Sequence, residues 1–318
     1  MPVKNGGNLA LPAGIQSSSV RASQDKRNSV GMIAMDGHAV RYAIGMIGCG
    51  SMGTALAKAF PNSRLAVTNY SLCVCVNKDE QRRALDAFGI ESTFDLSDLV
   101  SKSDLILVAV RPEQVHEVVK KVVTIAPPAT AAHKKILVSL AAGVTLSSLA
   151  ALAGETFDVV RIMPNILVQV GKGIFGLCVS PGVSPDTVQR IRNLFEAIGC
   201  VVEFEESKMN VFTALAGCGP AFLFHILESL AEAGVSAGLG RKESLMIAVA
   251  LLEGCGSLAA TTGTHPALLR EQGVSPAGMT IAGLNHLDRV GLRGHLIDAV
   301  KMALDQGRLM DKDFCPEK

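Results

Sequence analysis

The chain has 318 residues, 48% of them hydrophobic, and a net charge of +1 from 30 basic and 29 acidic side chains. That length predicts about two domains, and the near-neutral balance excludes the electrostatic footprint of a nucleic-acid or anionic-membrane binder. With no Trp, 4% aromatic content and eight scattered Cys without a C-x-x-C, the composition favours α/β and helical packing, reduced thiols and no structural zinc or other metal site.

Residues 1–40 are rich in Ser, Gly and Asn and read as a disordered extension. Arg21, Lys26 and Arg27 among several Ser resemble an organelle transit segment, but Asp25 and Asp36 argue against it. The expectation is a cytoplasmic protein, with a mitochondrial one as the alternative. The N-terminus lacks the apolar core of a secretory signal. No stretch reads as approaching the roughly 20 apolar residues of a membrane span, so no membrane partner is expected.

Order begins at Tyr42–Gly48 (YAIGMIG), a short apolar run read as a buried strand. Helix MGTALAKAF, strand LCVCVN, helix DEQRRALDAF and strand DLILVAV follow. Then come helix PEQVHEVVKKV, opened by Pro112, strand KILVSL, helix TLSSLAAL and strand FDVVRIM. Strands alternating with helices of this length imply a parallel sheet covered on both faces. IFGLCVS, PDTVQRIRNLFEAIG and CVVEFE are read as further edge strands around a helix.

From Glu206 onward every periodic stretch is helical, so the expected organisation is residues 41–205 as a Rossmann-type doubly wound domain and 206–318 as an all-helical domain. PAFLFHILESLAEAG runs from Pro220 to Gly234 with proper start and stop residues. ESLMIAVALLEGCGSLAA, Glu243–Ala260, is apolar all round and is expected to be buried on all sides, at a subunit interface. In LRGHLIDAVKMALDQ, Leu292, Leu296, Val300 and Ala303 form one stripe.

Gly48, Gly50 and Gly53 form G-x-G-x-x-G directly after the first strand and before a helix. The first glycine permits a tight turn, the second a close approach of backbone to a pyrophosphate, the third close helix–strand packing. With Ser51 and Met52, they make a helix N-terminus that offers free N–H groups to phosphates. The second strand ends in Asn77 and Lys78, and Asp79 follows too late to take both ribose hydroxyls as in an NAD site. Lys78 with Arg82 or Arg83 suits a 2′-phosphate, so NADPH is the expected cofactor and NADH the alternative.

GVSPAGMTIAGL, Gly273–Leu284, is a loop of small residues leading into a helix. Unpaired N–H groups near Gly278, Met279 and Thr280 fit an anion site, and the hydroxyls of Ser275 and Thr280 add donors. A plain capping turn explains the same residues, and spacing alone leaves both readings open. AGCGPAF opens a helix in a similar way, and RIMPN, Arg161–Asn165, ends the last parallel strand, where doubly wound folds bind ligands.

These segments, with VAVRPEQV, SLAAGV, AGVSAGLGR and HPALLREQGVSPAGMTIAGL in the same order, resemble the pyrroline-5-carboxylate reductases over roughly Tyr42–Met310. The resemblance implies NAD(P)H-dependent reduction of a cyclic imine to L-proline. It also implies a homodimer interlocked through the helical domain, often within a larger ring such as a decamer. The substrate carboxylate would lie on the backbone N–H groups of Gly278, Met279 and Thr280, with Thr280 as the catalytic hydroxyl. Val110, Arg111 and Pro112 would line the cofactor, and Asn165 and Ser275 would lie near the substrate. Four residues depart from the family pattern: Ala277 for a glycine, Leu167 for a proline, Cys218 for a serine and Phe222 for a tyrosine. The rival readings are a β-hydroxyacid dehydrogenase, whose Lys-x-x-x-Asn pair is not matched by Lys208 and Asn210, and a non-catalytic NADP-binding dimer acting as a regulator.

Overall fold

The computed structural model describes residues 42–61, 70–128 and 134–314, with side chains to 310. The expected N-terminal extension lies outside the described residues. In chain order the elements are β1 (Tyr42–Ile47), α1 (Ser51–Ala59), β2 (Tyr70–Cys75), α2 (Asp79–Asp86), β3 (Glu91–Thr93), α3 (Leu96–Lys102) and β4 (Leu105–Val108). Then follow α4 (Pro112–Ile125), β5 (Lys135–Ser139), α5 (Leu146–Ala153), β6 (Phe157–Met163), β7 (Gly173–Val179), α6 (Pro185–Glu196) and β8 (Gly199–Glu203). The remainder is helical: α7 (Met209–Phe212), α8 (Gly219–Ser236), α9 (Arg241–Thr262), α10 (Pro266–Gln272), α11 (Met279–Arg289) and α12 (Leu292–Phe314).

The strands form one sheet in the order β3-β2-β1-β4-β5-β6-β7-β8. The first six in that order run parallel, β7 pairs antiparallel with β6, and β8 runs with β7. Alternation decides which core each side chain enters. In β4, Leu105 and Leu107 join Met46, Leu56, Ile162 and Phe195 on one face. Ile106 and Val108 join Val115, Val119, Leu149 and Met209 on the other. Helix α4 shows how the sequence makes such a face: Pro112 starts it, and Val115, Val119 and Val122 bury one stripe. Each fully buried valine contributes about 1.5–3 kcal/mol.

Two elements escaped the sequence reading. Strand β3 is only Glu91-Ser92-Thr93, too short for an apolar period. Helix α3 is announced by its cap: the Asp95 carboxylate accepts from the Ser97 and Asp98 N–H groups.

The described residues fall into two compact units, one formed by residues 42–220 with 299–314 and the other by Ala221–Asp298. The expected boundary near 205 therefore falls inside the sheet unit. The reason is packing. Met209 is buried in the second core, and Glu206 pairs with the buried Arg161 of β6.

Helix α9 departs from expectation in the single chain. Only Ser244 and Ala248 are buried, while Leu245, Met246, Ile247, Val249 and Leu251 are exposed. The expectation that no stretch is membrane-like is also corrected. By length and composition alone, Glu206–Ser236 and Arg241–Thr262 are apolar enough to cross a bilayer. Isolated charged residues interrupt the apolar runs, among them Glu228 in the first and Glu253 in the second.

Candidate active site

The three glycines of the first loop take the three places their spacing predicts. Gly48 has φ +102°, and a Cβ there would lie 2.7 Å from the Ala109 carbonyl oxygen and 2.8 Å from a Val110 methyl. The turn after β1 thus presses against the turn after β4, and only glycine fits. A Cβ on Gly53 would lie 2.5 Å from the Gly48 oxygen, so α1 packs against the strand end. A Cβ on Gly50 would meet nothing within 4 Å, leaving open space where a phosphate can approach.

Helix α1 starts at this opening without a side-chain cap on Gly50. Its first intrahelical bond runs from the Thr54 N–H to Gly50 O at 2.9 Å. The N–H groups of Ser51, Met52 and Gly53 precede that bond and lie at the positive end of the helix. Beside them is a cleft of about 890 Å³, lined by Cys49, Gly50, Ser51, Thr54, Lys58 and Val168–Gly171 among others.

Asn77 and Lys78 follow β2 on the same edge of the sheet, both exposed, with Lys78 extended as the N-cap of α2. Sequence reasoning missed Gln81, one turn into that helix. Its Nε2 donates to Cys49 O at 3.2 Å, and its Oε1 accepts from the Asn77 N–H at 3.2 Å. One amide joins the phosphate loop to the end of β2. A glutamine on a helix is too ordinary in sequence to signal this.

Val110, Arg111 and Pro112 follow β4 on that edge. Arg111 is exposed, and its N–H bonds to Gln114 Oε1 at 3.3 Å. Asn165 lies two residues beyond β6 and is 2% exposed. Both ends of its amide are engaged by backbone. Nδ2 donates to Ala216 O at 2.9 Å, and Oδ1 accepts from the Ile174 N–H at 3.1 Å.

Ser275, Gly278, Met279 and Thr280 belong to the helical unit and are described within it. Helix α11 opens at Met279 with Gly278 as an N-cap and no side-chain cap bond. One expected donor is corrected: the Gly278 N–H closes a turn onto Ser275 O at 3.1 Å. The first helical bond is from the Ala282 N–H to Gly278 O, so Met279, Thr280 and Ile281 carry the N–H groups at the open end. Met279 is 95% exposed in the single chain and Thr280 is exposed. A Cβ on Gly278 would lie 2.3 Å from the Ser275 hydroxyl oxygen, so the serine side chain sits where only glycine leaves room. Ala277 has φ 57° and is the one non-glycine residue with positive φ among the described residues.

Two histidines are held in structural bonds. His116 Nε2 is 2.8 Å from Ser148 Oγ, linking α4 to α5, and His265 Nδ1 accepts the Ala267 N–H to cap α10. Burial pushes the Cys73 and Cys178 thiols up to about 11, so both are protonated and unreactive at neutral pH. Among the described residues no group of three or more His, Cys, Asp or Glu is placed to hold a metal. What the geometry offers is a dinucleotide cradle on a doubly wound sheet.

That fold and cradle define an NAD(P)H-dependent oxidoreductase with a separate helical unit. Residues 206–310 match the family model described as pyrroline-5-carboxylate reductase dimerisation, and residues 43–143 match one described as NADP oxidoreductase coenzyme F420-dependent. The chain is 31% identical to the pyrroline-5-carboxylate reductase of Methanosarcina acetivorans over 85% of its own length and 98% of the relative's. Against the enzyme of Pisum sativum it is 35% identical, over 84% and 95%. It also resembles the solved structure of the Coxiella burnetii pyrroline-5-carboxylate reductase at 26% identity and a TM-score of 0.77, over 85% of this chain and 98% of that one. The Plasmodium falciparum pyrroline carboxylate reductase, solved with NADP bound, matches at 26% identity and a TM-score of 0.73, over 86% and 100%. The chain belongs to the pyrroline-5-carboxylate reductase family.

Proposed function

We propose that this chain reduces 1-pyrroline-5-carboxylate to L-proline, taking hydride from NADPH. The observation that carries the reading is the open end of α11, where uncapped N–H groups follow a loop of small residues. Such an end binds a carboxylate through backbone alone. Met279 and Thr280 supply the donors, and Ser275 shapes the turn behind them.

The chemistry asks little else of the protein. A protonated cyclic imine is already a strong electrophile. The hydride leaves C4 of the dihydronicotinamide and forms the new C–H bond at the imine carbon, C2 of the pyrroline ring, while the electrons of the C=N bond pass to nitrogen. Orientation and exclusion of water supply most of the acceleration. The Thr280 hydroxyl hydrogen-bonds near the ring nitrogen. A bond of that kind is worth about 1.5–3 kcal/mol, so Thr280→Ala loses roughly 10- to 100-fold in kcat.

The working unit in this reading is a homodimer, or a larger ring such as a decamer, in the cytoplasm. The apolar surface of α8 and α9 is then covered by a second copy rather than by lipid.

One assay tests the activity. Purified protein is mixed with NADPH and pyrroline-5-carboxylate, and absorbance loss is followed with detection of proline. Folded protein that binds NADPH but makes no proline sinks the reading.

A further inference from the structure

Residues 213–217 form a single π-helical turn, in which the Cys218 N–H donates to Thr213 O at 3.0 Å, five residues back. Four residues beyond Ala216 stands Pro220, which has no N–H to give, so the Ala216 carbonyl at the end of this turn needs another donor. For Ala216 that donor is the Asn165 side chain, at 2.9 Å. The other end of the same amide holds the Ile174 N–H at the start of β7. Asn165 is 2% exposed, so water has little room to replace either bond. One side chain therefore ties together the end of β6, the start of β7 and the π-turn.

The π-turn leads directly into Gly217-Cys218-Gly219. A Cβ on Gly217 would lie 3.5 Å from the Met163 methyl at the end of β6, while one on Gly219 would meet nothing within 4 Å. This segment thus presents backbone and open space at the carboxyl end of β6. In doubly wound sheets the second half of that edge receives the nicotinamide half of the dinucleotide.

Resting on the reductase reading above, we propose that Asn165 is a positioning residue for hydride transfer. It holds the π-turn so that the stretch Gly217–Gly219 frames the nicotinamide, and it acts through that backbone without touching the substrate. A reacting pair displaced by about 1 Å loses on the order of 100-fold in rate. Binding of the cofactor, which rests on the first half of the sheet, is affected far less.

Two variants separate this from a direct contact. Asn165→Asp keeps an acceptor for the Ile174 N–H and removes the donor to Ala216. Asn165→Ala removes both. Each is measured for NADPH affinity, kcat, imine KM, the primary isotope effect with NADPH deuterated at C4, and amide hydrogen exchange over residues 213–220. The expected result is kcat down about 100-fold, NADPH affinity and imine KM within about threefold, a larger isotope effect and faster exchange in the π-turn. A kcat within twofold of the parent overturns the proposal. So does a raised KM with unchanged kcat, which marks direct substrate contact. Failure of both variants to fold makes Asn165 a folding strut and overturns it as well. An inactive parent protein sinks the reductase reading instead. The clamp is then read by exchange alone, and unchanged exchange in Asn165→Ala rejects it.

Discussion

The guanidinium of Arg161, 4% exposed in the middle of β6, donates to Glu206 Oε1 at 2.8 Å. The same oxygen accepts the Leu146 N–H at the start of α5, at 2.6 Å. Removing one member of a buried pair leaves the other charge without compensation, at a cost of about 3–5 kcal/mol. Glu206 is partly exposed, so Glu206→Ala should fall at the lower end of that range. The check is thermal unfolding of the two proteins at equal concentration. An unchanged midpoint contradicts the pairing.

Ala277 sits in the left-handed region at φ 57°. For a residue with a Cβ this costs about 1–2 kcal/mol. Glycine removes that strain but adds about 0.4–1 kcal/mol of unfolded-state entropy. Ala277→Gly should therefore stabilise the protein by roughly 0.5–1 kcal/mol, a rise of about 2 °C in the unfolding midpoint. Activity should hold or improve. A lower midpoint refutes the strained-turn account.

Lys78 is exposed and extended just beyond β2. If it meets a 2′-phosphate, Lys78→Glu replaces a charge-assisted bond by repulsion and weakens NADPH binding by about 10- to 100-fold. NADH, which lacks that phosphate, should change little. Titration of both cofactors by fluorescence decides it, and equal loss of both removes the assignment.

Helix α9 exposes Leu251 at 51% and Met246 at 65% in the single chain. Apolar surface on that scale marks a docking face. Light scattering should give at least twice the mass of one chain. Leu251→Asp should shift that mass toward the monomer without harming the chain's own core, which Leu251 does not enter. A parent protein that is monomeric at micromolar concentration contradicts the covered face.

Much of the fold is legible in the sequence. Strands β1, β2, β4, β5 and β6 are apolar runs set off by glycines and helices, and such runs carry their own signal. β3 does not, because three polar residues pair only where β2 offers an edge. The division near 205 follows a change of period, yet Glu206 answers to Arg161 across 45 residues of sequence. The π-turn reads as ordinary helix in TALAG, since nothing in those five residues signals its widening. Helix α9 reads as a helix to be buried, yet in the single chain most of its apolar residues are exposed. At the site, the glycine roles were readable because each is a local steric demand. The use of the Gly278 N–H and of both ends of Asn165 was not, since those are choices among several available partners.

Gln81 has a consequence for how the cofactor arrives. By bonding to Cys49 O and to the Asn77 N–H, it joins the two lips proposed above to receive the pyrophosphate and the ribose. If that arrangement is the receiving one, the two bonds lower the ordering cost of binding and raise the apparent affinity toward the intrinsic one.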